Sequence, residues 1–391
     1  MSRDVLTLNA GSSSLKFAVY DGGADLSVRL KGAITRLNGP GARFKAARAD
    51  SPALERPLQG PLPLTAAAAF LFGWLEEEGI LARLGAVGHR IVHGGRHFTK
   101  PAVLDGESLV ALRRLVPLVP LHQPYNLDIA ALAAARLPGI LQIGCFDTAF
   151  HAERPPLDRL YGLPRELSEE GLVAYGFHGL SYQHIAEVLR ARDPRQGGGQ
   201  AIAAHLGSGA SLCAMAEGRS IATTMGFSAL DGLMMSTRCG ALDPGIILHL
   251  MQERAMPAQE IAALLYQRSG LLGVSGISGD MQTLLESADP RAEEAVALFV
   301  YRAARQIGSL AAALGGLDRL VFTAGIGENS PAIRARICAA AAWLGVRLDA
   351  AANAAGETVI SAPGSAVEVL VVPADEERAI AQAALCFLNE M

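Results

Sequence analysis

Val5-Leu6-Thr7-Leu8-Asn9-Ala10-Gly11-Ser12-Ser13-Ser14-Leu15-Lys16-Phe17-Ala18-Val19-Tyr20 is the stretch that decides how this chain is read. An apolar run enters a tight turn of Gly and Ser, a second run leaves it, and Asp21-Gly22-Gly23 closes the unit with a hairpin signal. Glycine lets a backbone approach an anion closely, and successive amide hydrogens in a turn form an anion-binding concavity. The pattern recurs twice: Ala201-Ile202-Ala203-Ala204 runs into His205-Leu206-Gly207-Ser208-Gly209, and Leu320-Val321-Phe322 runs into Thr323-Ala324-Gly325-Ile326-Gly327-Glu328-Asn329. Each turn alone fits an ordinary hairpin. Three together point to a polyphosphate gripped from several sides.

Working outward, Ser211-Leu212-Cys213-Ala214-Met215-Ala216 and Glu217-Gly218 follow the second turn much as Ser14 to Gly23 follow the first. A shift of 197 residues lays Ser14-Leu15 on Ser211-Leu212, the mark of an internal duplication. Between these units the period is helical. Over 292–314, Val296, Phe299, Val300, Ala303, Ile307, Leu310 and Leu314 fall on one helix face. Ser330-Pro331 predicts a helix start, with Ser as cap and Pro in the first turn, directly after the third glycine turn. Residues 192–199, with three consecutive glycines, read as an exposed loop. Strands alternating with helices give an α/β class.

The 391 residues fit two domains. A net charge of −4 argues against nucleic acid as a partner. Five scattered cysteines without a CxxC pair indicate neither a disulfide framework nor a zinc site. The uncharged stretch 196–216 is interrupted by Gly, Ser and His, so no membrane partner is expected. The N-terminus enters a strand within a few residues, without a signal-peptide pattern, and a reduced, cytoplasmic setting is the expectation.

The first turn is not a Walker loop, because Gly-x-x-x-x-Gly-Lys-Ser/Thr occurs nowhere. Ser12, Ser14 and Lys16 stand at alternate positions, so two hydroxyls and an ammonium would share a strand face and cradle a phosphoryl group. His89, His93 and His97 have helical metal-site spacing, but Ile91-Val92 and Gly94-Gly95 read as strand then loop, which would keep the rings apart. Arg90, near a strand end, is the stronger candidate. Asp147 ends an apolar strand, His178 sits between glycines, and Arg238 lies in a turn. Each is as readily structural as catalytic. As a set they suit an anion that gains or loses phosphate.

These residues resemble those of the acetate kinases, in the superfamily of acetate and sugar kinases, actin and the chaperone ATPases. The resemblance spans essentially the whole chain. It is carried in order by 9–16, 89–95, 146–151, 175–179, 232–238 and 322–330. It implies two duplicated actin-like domains, mixed sheets flanked by helices, with a cleft between them. Residues 1–148 with 378–391 would form the first; 149–377 would form the second, carrying nucleotide binding and dimerisation. It implies reversible transfer of the ATP γ-phosphoryl to acetate, giving acetyl phosphate and ADP, with Mg²⁺ (or Mn²⁺) and in a homodimer.

Carried over by position, the resemblance puts Asn9 and Glu376 at the metal, and Ser12 and Lys16 at the phosphates. Arg90 would hold the carboxylate, and His178 and Arg238 would stabilise the transition state. His205, Leu206, Gly207, Ser208 and Gly209, with Asp280, Met281 and Gln282 and with Gly325, Ile326, Gly327, Glu328 and Asn329, would hold the nucleotide. Val92, Leu121, Phe177 and Ala229 would line the methyl pocket. Asp147 falls where such enzymes place a proton acceptor. Acetate is already ionised at neutral pH, so no base is needed, and Asp147 is expected to orient Arg238 or a metal-bound water.

Three departures from the family pattern stand out: Ser208 for the common Asn, Met281-Gln282 for Phe-Arg, and Ala229 for Pro. The last predicts a wider acyl pocket and better tolerance of propionate. A propionate or other short-chain carboxylate kinase is the near alternative. A non-catalytic actin-like ATP-binding module would not need two arginines suited to a small carboxylate, and a sugar kinase would need a polar pocket rather than Val, Leu, Phe and Ala.

Overall fold

Strand β1 (Asp4–Ala10) is buried along its whole length, as a nearly continuous apolar run demands of a strand covered on both faces. The computed structural model describes residues 3–23, 25–39, 41–48 and 51–390. They divide into two compact units, Met1–Ala152 with Asp375–Met391, and Glu153–Ala374.

The first unit holds an eight-stranded sheet, in the order β5-β4-β3-β2-β1-β6-β8-β7. The strands are β2 (Ser14–Tyr20), β3 (Val28–Thr35), β4 (Arg43–Arg48), β5 (Leu54–Pro57), β6 (Leu84–Ile91), β7 (Ala102–Val103) and β8 (Leu141–Phe146). β1 pairs antiparallel with β2, through Asn9 opposite Lys16, and parallel with β6. β6 pairs parallel with β8. On one face, Phe17, Phe44 and Trp74 form an aromatic core with the helices Leu64–Glu77 and Gln123–Arg136. On the other, the last helix, Glu376–Asn389, lies across β1 and β6. It packs so closely that a Cβ at Gly88 would meet Ile380 Cγ2 at 2.4 Å, so β6 has glycine there.

The second unit repeats the central part. Its five-stranded sheet runs β11-β10-β9-β12-β13, from β9 (Gln200–Leu206), β10 (Ala210–Ala216), β11 (Arg219–Thr223), β12 (Arg319–Thr323) and β13 (Glu368–Val371). β9–β10 is antiparallel, while β9–β12 and β12–β13 are parallel. Order and direction match β3-β2-β1-β6-β8, which is the duplication expected from the hairpin sequences. The second hairpin is tighter by one residue: four residues separate Ala10 from its partner Leu15, and three separate Leu206 from Ala210. Glu217 and Gly218, both at positive φ, make the two-residue turn to β11. The helix Pro290–Leu314 buries Val296, Phe299, Val300, Ala303, Ile307 and Leu310 against this unit, as its period predicts. Asp289 caps its start and Gly315 its end.

Two sequence readings change. Gly325 to Asn329 do not form an open turn: Ala324–Asn329 is a short helix, and Ser330 then caps the next one, Pro331–Ala340. Ser12 precedes β2, in a turn closed by Gly11 N–H to Ser14 O at 2.8 Å, so the pleat aligns Ser14 and Lys16 but not Ser12.

β6 also buries His89, whose Nε2 lies 2.8 Å from Gln142 Oε1. His93, just beyond the strand, accepts the Gly95 amide at Nδ1 at 2.8 Å. Burial pushes both rings down to about 4, against the Gln142 hydrogen bond in the case of His89. Both are therefore neutral in the folded protein at pH values where the unfolded chain protonates them. Their stabilisation is complete above about pH 6.5 and is lost as pH falls toward 4. Denaturation midpoints from pH 7 to 4.5 should show stability declining, with a slope approaching ~1.4 kcal/mol per pH unit for each ring. His89→Asn should flatten that slope, and a level profile in the parent would contradict neutral rings.

Candidate active site

In the first unit the functional groups gather at the C-terminal ends of the parallel strands, where α/β sheets place their ligand sites. Arg90 is the penultimate residue of β6, and Asp147 follows β8 directly. Arg90 Nε lies 3.0 and 3.2 Å from the two Asp147 oxygens, and Nη2 lies 2.7 Å from Oδ2. Asp147 is 1% exposed and the Arg90 side chain 20%. Nη1 of Arg90 reaches Glu376 at 3.3 Å and Asn9 Oδ1 at 3.4 Å, and Asn9 Nδ2 lies 3.4 Å from Glu376 Oε2. Burial opposes the guanidinium charge, but the Asp147 and Glu376 carboxylates outweigh it and raise the Arg90 pKa.

This geometry divides the guanidinium. The Nε–Nη2 edge is held closely by Asp147, while Nη1 rests on the longer contacts to Glu376 and Asn9, so the Nη1 side of this partly exposed side chain is the more loosely held. Asp147 thus has a partner 57 residues away that its sequence context does not disclose. Asn126 braces the same end, accepting from Val92 N at 3.0 Å and donating to Ala10 O at 2.7 Å. Val92 is buried, Leu121 is half-buried, and Lys16 is exposed on β2 beside Asn9. Glu377, next to Glu376, is raised by burial and by its acidic neighbour.

In the second unit, His178 caps the helix Gly179–Arg192 with φ +57°, a left-handed conformation unusual outside glycine. Its ring stacks on that of His205, with centroids 4.1 Å apart. The turn after β9 is closed by Gly207 N–H to Gly209 O at 3.0 Å. A Cβ built on Gly209 would lie 3.4 Å from His178 Nε2 and 3.5 Å from Arg238 Nη2. An imidazole and a guanidinium therefore face one point above a residue without a side chain. That suits a phosphoryl group. Arg238 Nη1 donates to Ala229 O at 2.8 Å, and Tyr175 N and Gly176 N bond Gly226 O, tying the segments of Phe177 and Ala229 together.

A cavity of about 780 Å³ opens in the same unit. Of the residues assigned to the nucleotide, Gly207, Ser208, Asp280, Met281, Gln282, Gly325, Ile326 and Asn329 line it. Leu206, Gly327 and Glu328 lie outside the lining. Leu206 is core, and Glu328 accepts the Ala374 amide at 2.9 Å. His205 and Gly209 stand at the histidine pair instead. Asp280 caps the helix Met281–Leu285 through Thr283, and Gln282 donates to Glu286 at 2.9 Å. Ser330 to Ala332, at the helix start that follows the third glycine turn, complete the wall with Ser236, Gly279, Leu285 and Glu286, the last four without a sequence signal for it.

Residues 4–382 match the model of the acetokinase family. The chain belongs to that family. The acetate kinase of Rhodopseudomonas palustris (strain TIE-1) is 51% identical over 389 residues, covering 98% of each chain. Among solved structures, a propionate kinase from Francisella tularensis superposes with TM-score 0.91 at 33% identity, covering 98% of this chain and 99% of its own. The Porphyromonas gingivalis acetate kinase gives 0.87 at 34%, covering 99% and 100%. The protein is a kinase with the fold of these enzymes, in two mixed sheets flanked by helices. No helix of the described residues is long and apolar enough to cross a membrane.

Removing one partner of a buried ion pair strands the other charge, at about 3–5 kcal/mol. Arg90 keeps Glu376 and some exposure, so Asp147→Ala should cost nearer ~3 kcal/mol of unfolding free energy by denaturant titration. A loss under ~1 kcal/mol would mean that the pair does not hold in solution.

Proposed function

We propose that the protein transfers the γ-phosphoryl of ATP reversibly to acetate, giving acetyl phosphate and ADP, by direct in-line displacement. The observation that carries the mechanism is the convergence of His178 Nε2 and Arg238 Nη2 on one point above Gly209. Phosphoryl transfer through a metaphosphate-like transition state asks for positioning and charge stabilisation rather than covalent help. The 780 Å³ cavity beside Gly207 and Ser208 is large enough for a nucleotide and is assigned to it. The more loosely held Nη1 side of the Arg90 guanidinium is assigned to the acetate carboxylate, and Lys16 to the phosphates. Val92, Leu121, Phe177 and Ala229 are assigned to the methyl group.

Asp147 is given the role of holding Arg90 oriented and charged, consistent with a substrate that needs no base. Asn9 and Glu376 are neighbours, with Asn9 Nδ2 turned to the Glu376 carboxylate and Asn9 Oδ1 to Arg90; that carboxylate, with the amide oxygen turned to it, would suit Mg²⁺, a cation that takes oxygen ligands. Bound there, the ion would offset phosphate charge. Cytoplasmic residence goes with this reading.

The test is a hydroxamate assay with ATP and acetate, propionate or butyrate. Acetyl phosphate should form, and propionate should be discriminated by less than ~200-fold in kcat/KM, because Ala229 leaves a wider pocket. Arg238→Ala should lose at least ~10² in kcat with little change in KM. A change confined to KM would remove Arg238 from the transition state, and a preference for acetate above ~200-fold would refute the wider pocket.

A homodimer through the second unit belongs to the same reading. The helix Pro244–Gln252 is strongly apolar yet buries no residue, leaving Ile246, Leu248 and Met251 half-exposed. A second copy would cover such a surface. Sedimentation should show a dimer that Leu248→Glu weakens; an unchanged dimer would place the contact elsewhere.

A further inference from the structure

Behind His178 lies a set of groups that the proposed reaction leaves without a task. Its Nδ1 is 2.8 Å from Ser211 Oγ, and Ser211 Oγ is 2.5 Å from the phenol oxygen of Tyr182. Ser211 and Tyr182 are both 0% exposed. Ser211 belongs to β10, opposite His205 on β9, and Tyr182 sits one turn along the helix that His178 caps. The neighbouring ring, His205, is held in the same manner: its Nδ1 lies 2.9 Å from the buried Ser181 Oγ. Two stacked imidazoles are thus each anchored at Nδ1 by a serine, and the Nε2 of His178 faces the point above Gly209.

The donors and acceptors in this row allow the hydrogens to run from Tyr182 through Ser211 to His178. The backbone amide of His205 donates to the Tyr182 oxygen, and burial raises the phenol well above its ordinary pKa, so it keeps its proton. That proton has Ser211 Oγ at 2.5 Å as its acceptor. A Ser211 hydroxyl receiving from Tyr182 has its own hydrogen to give, and His178 Nδ1 lies 2.8 Å away in place to take it. An imidazole that accepts at Nδ1 carries its proton at Nε2.

We propose that Ser211 and Tyr182 are positioning residues for phosphoryl transfer, holding His178 as the neutral tautomer protonated at Nε2, so that an N–H and not a lone pair stands beside Arg238. The inference rests on the reading above, in which His178 faces the transferring phosphoryl. A lone pair at Nε2 would repel the equatorial phosphoryl oxygens, whereas an N–H donates to them as charge develops. The left-handed backbone of His178 makes such anchoring necessary, because a strained residue keeps its place only when its surroundings over-determine it. Loss of the partner that fixes a catalytic histidine's tautomer costs up to ~10⁴ in rate where that partner is a carboxylate. A neutral hydroxyl pair should cost less, ~10 to 10².

The test uses the full-length protein with ¹⁵N-histidine labelling, the His178 ring being assigned by comparison with His178→Gln. In the parent protein Nδ1 should show a pyridine-type shift and Nε2 a pyrrole-type shift. Ser211→Ala should mix the two tautomers and lower kcat ~10- to 10²-fold, with KM for acetate and ATP within ~3-fold. Tyr182→Phe, which deletes one oxygen and opens no cavity, should move both readouts in the same direction, by less. Ser211→Thr keeps the hydroxyl and should recover kcat to within ~5-fold of the parent. A protonated Nδ1 in the parent overturns the proposal. So do variants that keep the parent's tautomer and kcat, or that change KM alone. If the tautomers mix while kcat holds, the positioning role falls and so does His178's part in transfer, whereas the cavity and Arg238 assignments stand or fall on the hydroxamate assay.

Discussion

Each sheet depends on one strand paired antiparallel on one side and parallel on the other: β1 in the first unit and β9 in the second. The antiparallel partner forces a tight turn at the strand's C-terminal end. The parallel partners must then end at the same edge, because parallel strands run in one direction. Asn9, Arg90 and Asp147 come from three such ends in the first unit. His205, the turn 207–209 and the helix Ala324–Asn329 come from the corresponding ends in the second. The chemistry is concentrated there because the pairing rule leaves no other edge with so many chain ends together.

The two units use that edge differently. In the first, charge dominates: Arg90 lies among Asp147, Glu376 and Asn9, and buried carboxylates fix it in orientation and charge. A buried pair of this kind adds little net stability, since desolvation consumes most of the Coulombic gain, but it fixes one edge of the guanidinium closely and leaves the other on longer contacts. In the second, hydroxyls and imidazoles stand beside one guanidinium. Tyr182 and Ser211 line up behind His178, whose ring stacks on His205 close to Arg238. Both are forms of preorganisation, in which donors are placed before the substrate arrives.

Apolar runs, Gly-Ser turns and a 3.6-residue period are local signals, and local signals determined much of this protein. They marked the hairpins of β1–β2 and β9–β10, their repetition, the face of the helix Pro290–Leu314, and Ser330 as a cap. They also placed Arg90 near a strand end and Asp147 just past one. Ser12 and the stretch 325–329 were misjudged for a local reason: Gly and Ser fit turns and short helices equally well.

What the tertiary structure alone decided is pairing across distance. Arg90 meets Asp147 across 57 residues, and Ser211 meets His178 across 33. Both contacts depend on which strand ends fall side by side, and no local pattern records that. Along the chain Ser211 is one small residue opening a buried strand and Tyr182 one aromatic on a helix face. Sheet register and the left-handed turn at His178 bring their hydroxyls together out of water, where a hydrogen bond has direction and an unmet donor is costly.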